Sequence, residues 1–157
     1  MHRGFTLVEL LVSLGLASIL LLVILSIFLS SIRSQTTQRS VAEVEQQGAM
    51  VMELITQTLR NAQAITSPAV GASASSLTVD VVDATEDPTV FDLSSNQIRI
   101  TRGVGSPITL TSTLLTASAI TFTNVSTTDS SGAVKIEFTL SHGDYDETFY
   151  GTASLRQ

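Results

Sequence analysis

Cysteine is absent from the 157 residues of this chain, so no disulfide bond stabilises it and no thiol chemistry is available. Basic residues are also scarce, with 8 Lys and Arg against 14 Asp and Glu, a formal net charge of −6 and a pI near 4.7. Phosphate binding needs clustered Lys and Arg, and only Arg99, Arg102 and Lys135 lie in the central strand region. We therefore expect no direct contact with nucleic acid.

Recognisable catalytic motifs are also absent. The two histidines are His2, near the start, and His142, which we expect to be a solvated turn residue. The many serines have no His and Asp partners at a known motif spacing. The segment Gly103-Val104-Gly105 is too short for a phosphate-binding loop and is typical of a hairpin turn. The sequence therefore predicts that the chain is not an enzyme and needs no cofactor.

Charge is missing from Leu10 to Ile32, a run of about 23 residues. At a rise of about 1.5 Å per residue, such a run is long enough to cross about 30 Å of hydrocarbon as a helix. A secretory signal has a shorter apolar core, of about 7 to 15 residues, followed by a small-residue cleavage site. We therefore expect a retained single-pass membrane helix.

Proline is missing from Ser34 to Ala64, and apolar residues recur there at steps of three or four. Such spacing places them on one stripe of a helix, with a polar face opposite. The sequence predicts one long helix from about Phe5 to about Ile65. The stripe comprises Val41, Val44, Gly48, Val51, Ile55, Leu59 and Ala62, and the polar face comprises Arg39, Glu43, Gln46, Gln47, Glu53, Gln57 and Arg60.

The pattern changes after Ile65, where Ser67-Pro68 and the run 71–76 indicate a linker. Apolar and polar residues then alternate, which is typical of antiparallel strands with one face on a core. The alternating segments are 77–81, 98–101, 120–123, 134–140 and 149–155, and the expected turns are 92–97, 103–107, 129–132 and 142–147.

Glu9 is the one acid near the start of the apolar run. A carboxylate inside hydrocarbon costs about 2.5 to 3.5 kcal/mol on insertion scales, so it needs a partner or a special position. One interpretation pairs it with a cation of another subunit. The other places it in the first turn of a helix near the headgroups, where the helix dipole favours an acid by about 0.3 to 1 kcal/mol.

Residues 4–10, GFTLVEL, follow a short leader that carries Arg3 and precede the apolar run. This arrangement resembles the processing signal of type IV prepilins and of type II secretion pseudopilins. The resemblance implies that a membrane aspartyl peptidase cuts after Gly4 and methylates the new amino terminus at Phe5. It also implies that Glu9 meets the amino terminus of a neighbouring subunit during assembly.

The same resemblance implies an α+β, pilin-like fold, in which one long N-terminal helix packs against a C-terminal antiparallel sheet. We expect a prepilin leader at 1–4, a membrane-spanning assembly half of the helix at 5–32, an amphipathic half at 33–65 and a β-rich head at 66–157. The chain would lie in the cytoplasmic (inner) membrane, with its head on the periplasmic or extracellular side. Charge alone does not set this orientation, because Arg3 precedes the apolar run while Arg33 and Arg39 follow it.

The partners that the resemblance implies are a prepilin peptidase and N-methyltransferase, other pilin or pseudopilin subunits, an inner-membrane assembly platform and membrane lipid. The last eleven residues, 147–157, together with the stripe ending at 59–62, are similar to minor subunits of the W type in pili and the J type in type II secretion. Two features depart from the family pattern. There is no cysteine for a C-terminal disulfide, and Ser26 stands where many major pilins have proline.

Several alternatives stay open at the level of sequence. The chain is either a filament subunit or a membrane-anchored adhesive or ligand-binding module, and the filament would be a pilus, a secretion pseudopilus or a competence filament. The carboxylates of Asp144, Asp146 and Glu147 are weak candidate Ca²⁺ ligands, since an acidic hairpin that prevents aggregation is the commoner meaning of such a cluster. Asn124-Val125-Ser126 matches a glycosylation sequon, a tripeptide that is common by chance.

Overall fold

The computed structural model of the chain describes residues 6–127 and 132–156, with side chains for all of them except residues 30–37. The chain divides into two compact units, Met1–Arg39 and Ser40–Gln157. Within the described ranges there are one helix and nine strands. They are α1 (Leu7–Asn61), β1 (Ala62–Ser67), β2 (Ser73–Ala74), β3 (Leu77–Val81), β4 (Thr89–Ser94), β5 (Gln97–Arg102), β6 (Ile108–Thr109), β7 (Thr116–Asn124), β8 (Ala133–His142) and β9 (Tyr145–Ser154).

The first unit consists of the N-terminal part of α1, which is apolar. From Leu7 to Leu29 the mean hydropathy is 2.8 and none of the segment is buried within the chain. Three serine hydroxyls in this segment are satisfied by their own helix, because each donates to the carbonyl three residues earlier. These bonds are Ser13 to Leu10 (2.9 Å), Ser18 to Gly15 (2.8 Å) and Ser26 to Val23 (2.8 Å).

The second unit buries the predicted helical stripe. Five of its apolar side chains, Val44, Val51, Ile55, Leu59 and Ala62, are at most 6% exposed and belong to one hydrophobic core cluster. Gly48 is buried with them, whereas Val41 is half-buried. The opposite face is confirmed as the polar, largely exposed side of the helix, with Glu43 and Gln47 half-buried.

The helix ends at Asn61, four residues before the predicted end near Ile65. This is a correction to the sequence interpretation: residues 62–67 form β1, which pairs antiparallel with β3. The pairing places Ile65 opposite Val79. Segment 62–67 contains no helix breaker, so long-range pairing with β3, and not local propensity, decides its conformation.

The strands form two antiparallel sheets where the sequence predicted one. The first has the order β1-β3-β4-β5-β6, and the second has the order β2-β7-β8-β9. The two-residue strand β2 joins the second sheet by pairing Ala74 with Phe122. Buried residues of both sheets belong to the same core cluster as the stripe of α1, including Phe91, Phe122 and Phe138. The α+β fold class, with a long apolar N-terminal helix and an antiparallel β-rich C-terminal part, is confirmed.

The alternating segments that the sequence indicated lie in β3, β5, β7, β8 and β9, except that Leu155 follows the end of β9, and β1, β2, β4 and β6 were missed. Two turns are shorter than expected. Residues 92–97 contain only a two-residue turn at Ser95 and Asn96, both with positive φ, and 142–147 contain only Gly143 and Asp144. The predicted turn at 129–132 lies largely outside the described residues.

Candidate functional site

Thr6 caps the start of α1, next to the predicted assembly residue. Its hydroxyl oxygen accepts a hydrogen bond from the backbone N–H of Glu9 (3.3 Å), and its carbonyl accepts the first helical bond from Leu10 (3.2 Å). Threonine followed three residues later by glutamate is the sequence signature of a capping box. Sequence reasoning missed this signal. The cap fixes where the helix begins and therefore fixes the position of Glu9 in its first turn.

Glu9 is exposed on this first turn. Within residues 6–127 and 132–156, no basic side chain forms an ion pair with its carboxylate. Any ion-pair partner of Glu9 would therefore lie outside the described part of this chain. Gly4 and Phe5, the predicted cleavage and methylation positions, lie outside the described residues and stay predictions, as does the assembly role of Glu9.

The apolar segment that follows Glu9 has no cover from the described chain. Its large apolar side chains, from Leu7 to Leu29, are each between 50% and 77% exposed. A contiguous apolar surface of this extent is unstable in water and marks contact with lipid or with other protein. Its length and composition fit a membrane-spanning helix.

In the second unit, α1 and β9 lie unusually close to each other. A Cβ atom added to Gly48 would overlap the ring of Phe149, and one added to Gly151 would overlap the side chain of Met52. The ring of Phe149 also stacks on Phe138 with a centroid distance of 5.2 Å. Glycine at both positions therefore lets the helix and the strand approach closely without displacing these side chains.

The three acidic residues proposed as Ca²⁺ ligands lie at the start of β9 and in the turn before it. Tyr145 donates a hydrogen bond to Glu147 (2.6 Å), so one of the three carboxylates is already engaged by a phenol. Successive strand residues point to opposite faces, so Asp146 and Glu147 diverge. Among the described residues no group of three or more His, Asp or Glu is arranged to hold a metal ion.

The carboxylates around Tyr145 change its ionisation. The hydrogen bond to Glu147, followed by burial and by the charges of Glu147, Glu45 and Asp146, raises the pKa of Tyr145 to about 12. Glu45 lies on α1, whereas the other acids lie on β9. The raised pKa of Tyr145 therefore reflects acidic residues of both α1 and β9.

His142 is not the solvated turn residue that the sequence suggested. It is the last residue of β8, it is half-buried, and its Nδ1 lies 3.5 Å from Oε2 of Glu43 on α1. The Nδ1 atom is buried and has no hydrogen-bond partner among the described residues. The pair connects the β8–β9 hairpin to the helix.

Two arginines line an open cleft where α1 ends. The cleft has a volume of about 330 Å³ and is lined by Arg60, Asn61, Ser154, Leu155 and Arg156. The backbone N–H of Arg156 donates to the carbonyl of Arg60 (3.3 Å), which holds the two residues together. Among the described residues, no carboxylate side chain lines the cleft and neither arginine has an ion-pair partner.

A second cleft, of about 450 Å³, lies on the other side of Asn61, and its charged groups are already engaged. Arg102 pairs with Glu86 at 3.2 Å. The hydroxyl and then the N–H of Thr85 donate to Asp83 and lower its pKa. The cleft presents no nucleophile activated by a neighbouring base.

Asn124, the first residue of the sequon, has a structural role. Its side chain is buried at 2% exposure, and its Nδ2 donates to the carbonyl of Pro68 (2.8 Å). Its Oδ1 accepts from the backbone N–H of Ser126 (3.1 Å). The amide nitrogen that glycosylation would modify is thus committed inside the fold.

The family model described as the prokaryotic N-terminal methylation motif matches residues 1–25. No curated protein and no solved structure matches the chain. The matched range covers the predicted leader, the cap at Thr6, Glu9 and most of the apolar segment. The match supports a type IV pilin-like protein, implies processing by a prepilin peptidase, and, together with the apolar helix, fits an anchor in the inner membrane.

Proposed function

We propose that the chain is a structural minor subunit of a type IV pilus or type II secretion pseudopilus. In this proposal the prepilin peptidase cuts after Gly4 and methylates Phe5, and the apolar part of α1 then packs among the same segments of neighbouring subunits. The observation that carries the proposal is one coincidence. The methylation motif covers the capped start of α1, where the apolar segment from Leu7 to Leu29 is uncovered and its single acid, Glu9, has no cation among the described residues.

The pairing step depends on electrostatics in a poorly hydrated environment. The cut creates a cationic amine on Phe5, and stacking of subunits brings that amine next to Glu9 of another copy or of a related subunit. Two unit charges about 4 Å apart attract by about 4 kcal/mol at an effective dielectric constant of 20, and desolvation of both groups opposes this gain. An unpaired Glu9 in hydrocarbon would instead cost about 2.5 to 3.5 kcal/mol.

The assignment to a minor subunit rests on weaker support than the assignment to the pilin-like class. It depends on the similarity of residues 147–157 and 59–62 to W-type and J-type subunits. The β-rich head would lie outside the cytoplasmic membrane and would make the contacts that distinguish one subunit from another.

A second candidate is a membrane-anchored adhesive or ligand-binding module that does not enter a filament. Two open clefts among the described residues of the second unit, of about 330 and 450 Å³, favour it, because they offer concave surfaces for a ligand. In this alternative the apolar part of α1 serves only as an anchor. Glu9 then pairs with no other subunit, so its substitution removes no intermolecular contact.

Substitution of Glu9 by Gln distinguishes the two candidates, since it removes the charge and keeps the size. The filament proposal expects normal membrane insertion but at least about tenfold less protein in sheared filaments, because 1.4 kcal/mol is already a factor of ten. Glu53→Gln is the matched control, since Glu53 is an exposed acid of the same helix whose carboxylate accepts from Gln57 (2.7 Å). Immunoblots of membrane and filament fractions measure both. Equal incorporation of the Glu9→Gln variant and the control would favour the anchor.

Mass spectrometry of the mature protein from its native host tests the processing step. We expect an amino terminus at a methylated Phe5. A chain that retains Met1 would contradict the proposal independently of any filament assay.

A further inference from the structure

One histidine connects the β8–β9 hairpin to α1 in the second unit. His142 is the last residue of β8, lies opposite Tyr145 of β9, and faces the helix, as the buried alternate residues of its strand do. Its Nδ1 lies 3.5 Å from Oε2 of Glu43 on α1. The two side chains are 29% and 31% exposed, so the contact is half-buried between the helix and the hairpin.

The Nδ1 atom of His142 is left without a bond. It is buried and has no hydrogen-bond partner among the described residues. A buried polar atom without a partner is unfavourable, and folded proteins contain few of them. The 3.5 Å to Glu43 is longer than the roughly 2.7 to 2.9 Å of a bond between a charged nitrogen donor and a carboxylate. The two groups therefore face each other as an open pair.

Protonation of His142 would change this pair. A neutral imidazole keeps one ring nitrogen as an acceptor, whereas an imidazolium donates from both nitrogens. A neutral ring can also carry its proton on Nδ1, but that bond lacks the strength that a positive charge adds. An added proton would therefore give Glu43 both an N–H donor and an opposite charge. Imidazole ordinarily gains or loses this proton between about pH 5 and pH 8.

The charged groups around His142 come from α1, from β9 and from the turn before β9. They comprise five carboxylates, one phenol and one guanidinium, and belong to Arg39, Glu43, Glu45, Asp144, Tyr145, Asp146 and Glu147. Strand β7 and the segment 110–115, which precedes it, carry no charge. Because carboxylates outnumber the arginine, these surroundings are complementary to an imidazolium. Among the described residues, they are not arranged to hold a metal ion.

Glu43 also connects to a third part of the second unit. Its Oε1 accepts a hydrogen bond from Nε2 of Gln47 (3.4 Å). The Oε1 of Gln47 accepts in turn from the backbone N–H of Ser112 (2.7 Å), which lies between β6 and β7. A bond from His142 to Glu43 would join the hairpin, the helix and this segment in one chain of hydrogen bonds. The members of such a chain polarise and strengthen one another.

This chain of bonds lies where the second unit begins. The unit starts at Ser40, so Glu43 and Gln47 lie in about the first two helical turns of that unit. Val44 is the single fully buried side chain of residues 40–47, whereas the next residue, Gly48, packs tightly against Phe149. Polar contacts therefore contribute much of what docks these first turns on the sheets.

We propose that His142 and Glu43 form a proton-operated clasp, which closes when His142 is protonated and fastens residues 40–47 to the β8–β9 hairpin. The step takes up one proton from solvent and breaks no covalent bond. Its stabilisation is present at low pH, where the imidazole carries the proton, and is lost as the pH rises through the range in which imidazole titrates. If the head lies outside the cytoplasmic membrane, as the proposed function has it, the clasp responds to the pH of the surroundings.

The composition makes the clasp straightforward to isolate. The chain has two histidines, His2 and His142, and no cysteine. Between about pH 6 and pH 8 the side chains that ordinarily change charge are therefore these two imidazoles. The substitution His2→Gln leaves His142 as the single histidine, and this variant is the parent for the tests.

Thermal unfolding of the full-length parent in detergent with EDTA, at about pH 5.5 and about pH 8, gives the first test. His142→Asn keeps a neutral donor near the place of Nδ1 at both pH values. The rise in Tm from the higher to the lower pH should be about 2 to 4 °C greater in the parent than in this variant, as expected for a partly exposed pair. Glu43→Gln should remove the same increment. Glu53→Gln, at an exposed acid of the same helix that accepts from Gln57, is the matched control and should keep it.

Hydrogen exchange locates the effect, with labelling times corrected for the intrinsic pH dependence of exchange. Protection of peptides covering 40–47 and 142–147 should rise at least about twofold in the parent at the lower pH, and should stay level in His142→Asn. Peptides covering 51–59, farther along the helix, are the internal control. A purely structural role of His142 would alter protection equally at both pH values.

These measurements decide the inference. Equal pH increments in the parent and in His142→Asn would overturn it, as would an increment that Glu43→Gln leaves intact or one without a change in protection at 40–47. His142→Gln, with the same expected loss of the increment, replaces His142→Asn if that variant does not fold. Unfolding in detergent involves no filament, so failure of the clasp and failure of the proposed function, read from Glu9→Gln, remain distinguishable.

Discussion

The buried side chain of Asn124 allows a quantitative test of how the second unit is held together. All of its hydrogen-bonding groups are occupied. Nδ2 donates to Pro68 (2.8 Å) and Oδ1 accepts from Ser126 (3.1 Å). The backbone N–H donates to Ala72 (3.0 Å), and the backbone carbonyl accepts from Gly71 (2.8 Å). One residue therefore fastens the segment between β1 and β2 to the end of β7.

The substitution Asn124→Asp keeps the shape and the acceptor but replaces the Nδ2 donor with an oxygen. The lost hydrogen bond contributes about 1 kcal/mol, and a buried acceptor left facing another acceptor costs about 1 to 3 kcal/mol more. We expect a loss of about 3 kcal/mol in the free energy of unfolding. For a unit of this size that lowers the Tm by roughly 10 °C.

The assay is thermal unfolding of the full-length protein in detergent, followed by the circular dichroism of the sheets. Asn96→Asp is the matched control, because it replaces the same amide with a carboxylate at an exposed turn position. The backbone φ of 60° at this position is one that aspartate also tolerates. Its expected effect is below about 0.5 kcal/mol. The loss at Asn124 should shrink at low pH, where the introduced carboxyl is protonated and can donate again. A Tm for Asn124→Asp within 2 °C or so of the control would refute the reasoning.

Two further changes test the contact between α1 and β9. Gly48→Ala should lower the free energy of unfolding by about 1 kcal/mol, since overpacking against Phe149 costs about 1 to 3 kcal/mol and the higher helix propensity of alanine returns about 1. Chemical unfolding measures this, and an unchanged or raised midpoint would show that the ring moves aside freely. The pKa of Tyr145 is raised to about 12, above the ordinary value near 10, so the folded state retains this proton more tightly than the unfolded state. The resulting stabilisation is complete below about pH 10 and disappears as the pH rises towards 12, and Tyr145→Phe should abolish that part of the pH dependence. Absorbance at high pH should show one late-titrating phenol that the same variant lacks. If Tyr145→Phe instead removed a phenol that titrates near pH 10, the role of Glu147 would be contradicted.

The helical stripe could be predicted from the sequence because its information is local. Val44, Val51, Ile55 and Leu59 recur with the period of a helix, and all four are buried. The long strands β8 and β9 contain the alternating segments 134–140 and 149–154, which were enough to identify them, although the first residues of β9 were predicted as a turn. Local periodicity therefore accounts for the fold class.

The division into two sheets could not be predicted in the same way. Strands β2 and β6 have two residues each, too few for any alternation, and β1 follows the helix without a breaker. Their conformations are decided by partners distant in sequence. The pairing of Ala74 with Phe122 is an example, since no sequence pattern near Ala74 predicts a strand there.

The candidate sites also differ in whether local sequence or long-range contacts define them. The motif around Glu9 is contiguous, and the Thr6 cap could also have been found from its spacing to Glu9. The neighbours of His142 and Arg156 could not, because Glu43 and Arg60 are about a hundred residues away in the chain and meet them only when α1 lies along β9. Sequence alone therefore indicated how the chain is anchored but not what its head offers to a partner.

The three serines of the apolar segment have a mechanical consequence. Their hydroxyls donate to carbonyls of their own helix, so these protons are not available for hydrogen bonds to a neighbouring helix. Neighbouring segments would be held by van der Waals packing, whose energy changes gradually when one helix slides along another. They would not be held by directional hydrogen bonds that break at a defined displacement. A fibre built from such helices is expected to lengthen under a pulling force and to recover when the force is released.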